Sequence, residues 1–140
     1  MAEKSEVTVS DTIAAPIEDV WRVASDFGGI ADIMDGIESC ETEGEGVGML
    51  RRMPMGGGAV VERLEALDDE AHHLAYSIVE GPLPFRDYYA TIDLAEVDGG
   101  TSIDWTGRFE PQGVPADKAE RLANGVYTAG IAGFKKALGA

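Results

Sequence analysis

A single long amphipathic stripe closes this chain, and most of what precedes it reads as strand. Within residues 114–138, Leu122, Val126, Gly130, Phe134 and Leu138 recur at helical spacing, with Ala119, Ala123, Tyr127 and Ala137 beside them. Asp117 and Glu120 have the spacing of a capping box, with Pro115 in or next to the first turn. Gly125, Gly130 and Gly133 lie inside this segment, and each costs about 1 kcal/mol there relative to alanine. Small residues at those positions point to a close neighbour, the sheet before a ligand. A helix with one apolar stripe has to bury it, and the strands supply the surface.

The strand patterns set the order. Ser5–Ile13 alternates, with Val7, Val9, Asp11 and Ile13 on one face. Ala15-Pro16 opens a helix whose stripe is Ile17, Val20, Trp21, Ala24 and Phe27; Gly28-Gly29 ends it, and residues 30–34 form a short second helix. Strands are expected at 37–42, from 47, across the hairpin 49–67, and at 72–80, 86–97 and 101–110. Pairing across Asp98-Gly99-Gly100 sets Leu94 against Trp105, Ile92 against Gly107 and Ala90 against Phe109, leaving Asp93, Asp104, Thr106 and Arg108 on the other face. No repeat, linker or low-complexity stretch divides residues 1–140, so one domain is expected. Its class is α+β: a curved seven-stranded antiparallel sheet closed by one terminal helix, with two short helices after the first strand.

The hairpin 49–67 carries charges where alternation asks for apolar residues. With Gly56-Gly57 as a two-residue turn, Met55 faces Gly58, Met53 faces Val60 and Arg51 faces Glu62. The shared face then reads Met49, Arg51, Met53, Met55 against Val60, Glu62, Leu64. An ion pair among methionines and aliphatics is costly unless its members satisfy each other or meet a polar ligand. A slip of one residue instead turns the pair out to solvent; pattern alone leaves both registers open. Closing the next connection with three residues places Tyr76 opposite Glu62.

Acidic residues outnumber basic ones 26 to 11, a formal charge of −15. Such a field repels phosphate backbones and anionic membrane surfaces, so neither nucleic acid nor membrane insertion is expected. Cys40 is the sole cysteine, which excludes an intrachain disulfide and a multi-cysteine zinc site. His72 and His73 are adjacent on a strand and point apart, so they do not share a metal, and no other metal or cofactor motif is present. The first residues lack a signal-peptide pattern, which makes a cytoplasmic protein the expectation. A homodimer is compatible with the chain.

Several stretches together are similar to the helix-grip fold of the START-related SRPBCC superfamily, in its bacterial polyketide cyclase/dehydrase-like branch, and more distantly to the plant abscisic acid receptors. They are Ile13-Ala14-Ala15-Pro16 with Val20-Trp21; Ile37-Glu38-Ser39-Cys40; Gly48 followed by Arg51; Glu62-Arg63-Leu64-Glu65 with Leu67-Asp68-Asp69; Tyr76-Ser77-Ile78; and Gly81 followed by Asp87-Tyr88. The resemblance implies a sheet wrapped around the last helix, with an internal cavity for a hydrophobic ligand. Glu62, Tyr76, Ile78 and Tyr88 would point into that cavity, and the loops at 54–59 and 81–85 would guard its mouth. The receptors grip a ligand carboxylate with a lysine on their second strand; Glu38 stands at the matching position, which argues against an anionic ligand held that way.

The expected ligand is a small hydrophobic, aromatic or polyketide-like molecule. Its walls would be Met53, Met55, Tyr76, Ile78, Phe85, Tyr88, Trp105, Phe109, Tyr127 and Phe134, with Glu38 and Glu62 as orienting groups. The alternative is an enzyme, a cofactor-free cyclase, dehydratase or lyase, with Glu62 moving the proton and Arg51 and Tyr88 polarising oxygen. A third reading is an accessory module that binds a partner through its acidic surface and the apolar loop 81–85.

Overall fold

The computed structural model describes residues 4–55 and 58–140, apart from the side chain of Met55. The Gly56-Gly57 turn and the Met55 side chain therefore lie outside the described residues. Seven strands form one antiparallel sheet: β1 (Ser5–Ile13), β2 (Glu41–Glu43), β3 (Leu50–Met55), β4 (Gly58–Asp68), β5 (His73–Glu80), β6 (Phe85–Val97) and β7 (Gly100–Pro111). They stand in the order β1-β7-β6-β5-β4-β3-β2, each strand beside its sequence neighbour except β1, which closes against β7. Helices α1 (Ile17–Ala24) and α2 (Ile30–Ile33), with a 3-10 turn at Phe27–Gly29 between them, follow β1. The long helix α3 (Ala116–Leu138) lies along the concave face.

The inward face of the sheet is apolar because strand residues alternate sides. Tyr88, Ala90, Ile92 and Leu94 on β6 and Ile103, Trp105 and Phe109 on β7 are all buried. The outer face of β1 and β7 is knitted by polar pairs: Thr8 with Thr106, Ser10 with Asp104, and Arg108 donating to Glu6. Helix α3 is fastened at both ends of β1. Ser5 donates to Glu120 at 2.7 Å and Lys135 donates to Asp11 at 2.7 Å, which holds the Asp11 carboxyl below its ordinary range. Glu120 is thus spent on β1 rather than on a capping box, and Pro115 occupies the cap position with no side-chain bond.

The buried stripe of α3 is Ala119, Ala123, Tyr127, Gly130, Ile131, Gly133 and Phe134. Leu122, expected on that stripe, is 40% exposed. The helix comes down so closely on β7 that a Cβ at Gly130 would sit 2.4 Å from the Trp105 ring. Trp105 lies flat between Tyr127 and Phe134, with centroids 5.1 and 5.8 Å away. The sheet, and not a ligand, is what this glycine admits.

Two registers differ from the sequence expectation, each by two residues. In the β6–β7 hairpin, Ile92 faces Trp105, Ala90 faces Gly107 and Leu94 faces Ile103, because Val97 pairs with Gly100 and the turn is Asp98-Gly99. Gly100 is a strand residue pressed against β1: a Cβ there would meet the Ile13 carbonyl oxygen at 2.1 Å. Between β4 and β5, Glu62 faces Ile78 and Leu64 faces Tyr76, because the connection from Asp68 to His73 is longer than three residues and a bulge falls between Leu64 and Ala66. A shift of two preserves which side chains point inward. The segment 37–42 is strand only from Glu41 onward, and β3 begins at Leu50.

Candidate functional site

The expected β3–β4 register is observed: Arg51 faces Glu62, Met53 faces Val60 and Met55 faces Gly58. Arg51 and Glu62 both point inward, 6% and 7% exposed. The Arg51 guanidinium donates from Nε to Glu62 Oε1 at 2.8 Å, and its Nη2 lies 2.6 Å from the same oxygen. Its Nη1 donates to the Phe27 carbonyl at 2.9 Å, and its Cζ sits 3.8 Å above the Phe27 ring. Three donors are thereby matched, and the planar cation lies on an aromatic face. That is the condition under which a buried charge is tolerated.

Both bonds from the guanidinium end on Oε1. Among the described residues no donor reaches Glu62 Oε2, and no buried side-chain oxygen or nitrogen is left without a partner. Oε2 is therefore open to the space the residue lines. That space is a cavity of about 230 Å³ between β3–β4, the segment 34–37, Leu83 and the outer flank of α3. Its walls are predominantly apolar: Ile30, Met34, Met53, Val60, Leu122 and Val126, with the Trp105 and Tyr76 rings at the back. Larger hollows, of about 430 Å³ beside the start of α1, about 450 Å³ between β1 and α3 and about 310 Å³ on β2–β4, are open grooves lined in part by charged residues: Glu18 and Glu96, Asp117 and Glu120, and Glu41, Glu43, Arg52 and Glu80. They lack the enclosed, apolar character of a small-molecule site.

Behind the cavity the interior is filled. A void of only about 10 Å³ separates Tyr76, Trp105 and Phe134 from α1 and Phe27. Trp105 Nε1 donates to the Tyr76 hydroxyl at 3.1 Å, the Tyr76 and Tyr88 hydroxyls are 3.4 Å apart, and the Tyr88 and Tyr127 hydroxyls are in direct contact. Burial, then the nearby Glu62 charge, raises the Tyr76 hydroxyl well above the ordinary tyrosine range. Burial also raises Tyr88, helped by Tyr76 and Tyr127, and it raises Tyr127 as well. All three stay protonated and each needs an acceptor. Tyr127 is fully buried, and among the described residues its hydroxyl has only the Tyr88 hydroxyl as hydrogen-bond partner. The arrangement that gives the protons of both Tyr127 and Tyr88 an acceptor runs from Tyr127 to Tyr88 to Tyr76. It leaves uncommitted the proton of Tyr76, the one of the three that lines the cavity.

Of the residues singled out from the sequence, the cavity gathers Arg51, Met53, Glu62, Tyr76 and Trp105. Tyr88, Phe109, Tyr127 and Phe134 form the packed aromatic layer behind it, and Phe85 stacks onto that layer, 4.5 Å from Phe109 and 5.2 Å from Tyr88. A bulge at Asp87, whose φ is +53°, brings Phe85 and Tyr88 to the same side. Tyr88 is thus one hydroxyl removed from the cavity. Ile78 packs beside Met53 and Val60 without lining the cavity. Glu38 departs furthest from its expected place: it sits in irregular backbone, exposed to solvent, outside the cavity wall. From the apolar loop, Leu83 reaches the cavity. Cys40 packs against the Ile30, Met53 and Val60 cluster, and burial pushes its thiol up, away from the reactive thiolate. His72 lies edge-on to Trp21 and 3.4 Å from Glu18, whereas His73 pairs with Asp93.

Leu122 and Val126, read from the sequence as part of the buried stripe of α3, line the cavity instead, and Leu83 belongs to the loop expected at its mouth. Helical spacing alone does not separate Leu122 from the buried stripe; its 40% exposure on α3 marks it as rim rather than core.

A twisted antiparallel sheet gripping a terminal helix, with short helices after the first strand, defines the helix-grip fold. A family model described as polyketide cyclase / dehydrase and lipid transport matches residues 4–139, and the chain belongs to that family. It is 32% identical over 75 residues to MLP-like protein 423 of Arabidopsis thaliana, a match spanning 49% of this chain and 48% of the plant protein. The chain thus aligns with about half the length of that curated relative. It is similar to the solved structure of the protein XoxI from Bacillus cereus, with a TM-score of 0.85 and 27% identity, covering 95% of this chain and 94% of that one. It is equally similar to an uncharacterised protein from Bacillus thuringiensis, with a TM-score of 0.84 and 27% identity over 95% and 98% of the two chains. No described helix is long and apolar enough to cross a membrane.

Proposed function

We propose that the protein binds a small hydrophobic ring compound, aromatic or polyketide-like, in the cavity between β3–β4 and α3. The observation that carries this is the union of an apolar hollow with a fixed ion pair on its wall. An apolar cavity of about 150 Å³ accepts benzene, and pockets for drug-sized ligands start at roughly 300 Å³. At about 230 Å³ the cavity suits one or two fused rings. Native mass spectrometry of freshly purified protein tests the reading. A bound mass below that of a drug-sized compound, released on denaturation and absent from Met53→Trp, supports it. A wild-type protein that carries no such mass and takes up no one- or two-ring compound refutes it.

The open Glu62 Oε2 supports a second reading, a proton-transfer enzyme in which this oxygen takes a proton from a bound ring compound while Tyr76 hydrogen-bonds a developing oxyanion. Turnover of such a substrate that survives Glu62→Gln at wild-type rate removes Glu62 as the base.

A further inference from the structure

Resting on the reading of this cavity as a binding site, we infer that it selects neutral ring compounds that donate a hydrogen bond, as hydroxyl or N–H, to Glu62 Oε2, and that it rejects carboxylates of the same size.

The inference follows from which polar atoms are already used. Arg51 would be the natural grip for an acidic ligand, but its charge is matched. Nε and Nη2 hold Glu62 Oε1, Nη1 holds the Phe27 carbonyl, and the cation is clamped over the Phe27 ring. A ligand carboxylate would bring a second negative charge beside Glu62 in an apolar hollow, with one cation to serve both. Like charges at close range in a low-dielectric site strongly disfavour that state. The wider protein, at −15, adds to the repulsion. By contrast, Glu62 is 93% buried by residue area, since 7% is exposed, and it presents one oxygen with no donor among the described residues. An acceptor of that kind is satisfied by a ligand O–H or N–H, and a hydrogen bond to a charged group is worth about tenfold or more in affinity.

The test is a set of three two-ring probes measured at neutral pH by isothermal titration calorimetry: naphthalene, 2-naphthol and 2-naphthoate. The expected order is 2-naphthol about tenfold tighter than naphthalene, with 2-naphthoate weakest. Glu62→Gln should reverse the charge preference. With its partner neutral, Arg51 becomes an unmatched cation, and 2-naphthoate should then bind more tightly than 2-naphthol. Wild-type protein that binds 2-naphthoate as well as 2-naphthol, or that gains nothing from the hydroxyl, overturns the inference while leaving the binding reading intact. Failure of all three probes overturns both. Should Glu62→Gln not fold, by circular dichroism, the wild-type ranking alone decides.

Discussion

Replacing Arg51 by Met is the sharpest structural test, because the two registers of the β3–β4 hairpin give different magnitudes. The substitution keeps an unbranched apolar stem but removes both bonds to Glu62 Oε1, the bond to the Phe27 carbonyl and the stacking on the Phe27 ring. A carboxylate is then left inside with no counter-charge. Removing one partner of a buried pair costs about 3–5 kcal/mol, whereas an exposed pair is worth roughly 0–1 kcal/mol. Stabilities of single domains run about 5–15 kcal/mol, so the loss is a large fraction of the total. For a domain of 140 residues, at about 3 °C per kcal/mol, the melting temperature should drop by about 10–15 °C. Urea denaturation followed by far-UV circular dichroism measures the loss as a shift of midpoint at constant slope. The double variant Arg51→Met/Glu62→Leu should recover most of it, since an apolar pair of similar volume is about neutral in place of a buried ion pair. A loss below about 1 kcal/mol for Arg51→Met, the value of a solvated pair, would refute the inward placement.

Four further outcomes follow from the same coordinates. Tyr76, Tyr88 and Tyr127 are all raised by burial, so between the ordinary tyrosine value near 10 and their folded values the unfolded chain has lost protons that the folded chain keeps. Their stabilising contribution is intact below that pH and declines above it, by about 4 kcal/mol per pH unit for three groups. In a Tyr89→Phe background, which removes the exposed fourth tyrosine, absorbance at the tyrosinate band and far-UV circular dichroism should therefore change together in alkali, and ionisation of the three buried tyrosines in still-folded protein would contradict this. Gly125→Ala, where the added methyl meets open space, should stabilise by about 1 kcal/mol. Gly130→Ala should instead destabilise by about 1–3 kcal/mol, because its methyl strikes the Trp105 ring; thermal melts of the pair decide whether close packing of α3 on β7 sets the helix position. Leu122→Glu, at the half-open rim, should weaken probe binding at least tenfold with a change in stability below about 1 kcal/mol.

Much of the fold was legible because alternation specifies faces even where registers slip. The Arg51–Glu62 pairing could be read from a glycine turn and a period of two. The β6–β7 register could not, because Gly100 looks like a turn residue but serves a close approach to Ile13 that no local pattern encodes. The extra length between Asp68 and His73, and the bulge before Ala66, shifted Tyr76 from Glu62 to Leu64 yet kept both side chains inward. The candidate site was legible only in part. Sequence marks Trp105, Tyr127 and Phe134 as inward but not how deeply α3 sinks onto Trp105, and that depth turns half of the expected cavity into stacked aromatics. The same depth leaves Leu122 and Val126 at the rim. Glu38 was placed by its match to a second-strand lysine of the receptors, but residues 37–40 form no strand in this chain, so its side chain stays in solvent.

The hollow beside the Arg51–Glu62 pair is proposed to take up a small ring compound. Titrating 2-naphthol into protein carrying isotope-labelled methyl groups, and following methyl shifts by NMR, tests this most directly. Ile30, Met53, Val60, Leu83, Leu122 and Val126 should move together and saturate at one equivalent, while Ile13 and Leu74, buried away from the cavity, stay in place. Saturable shifts confined to the outer grooves, with the cavity methyls unmoved, would contradict it.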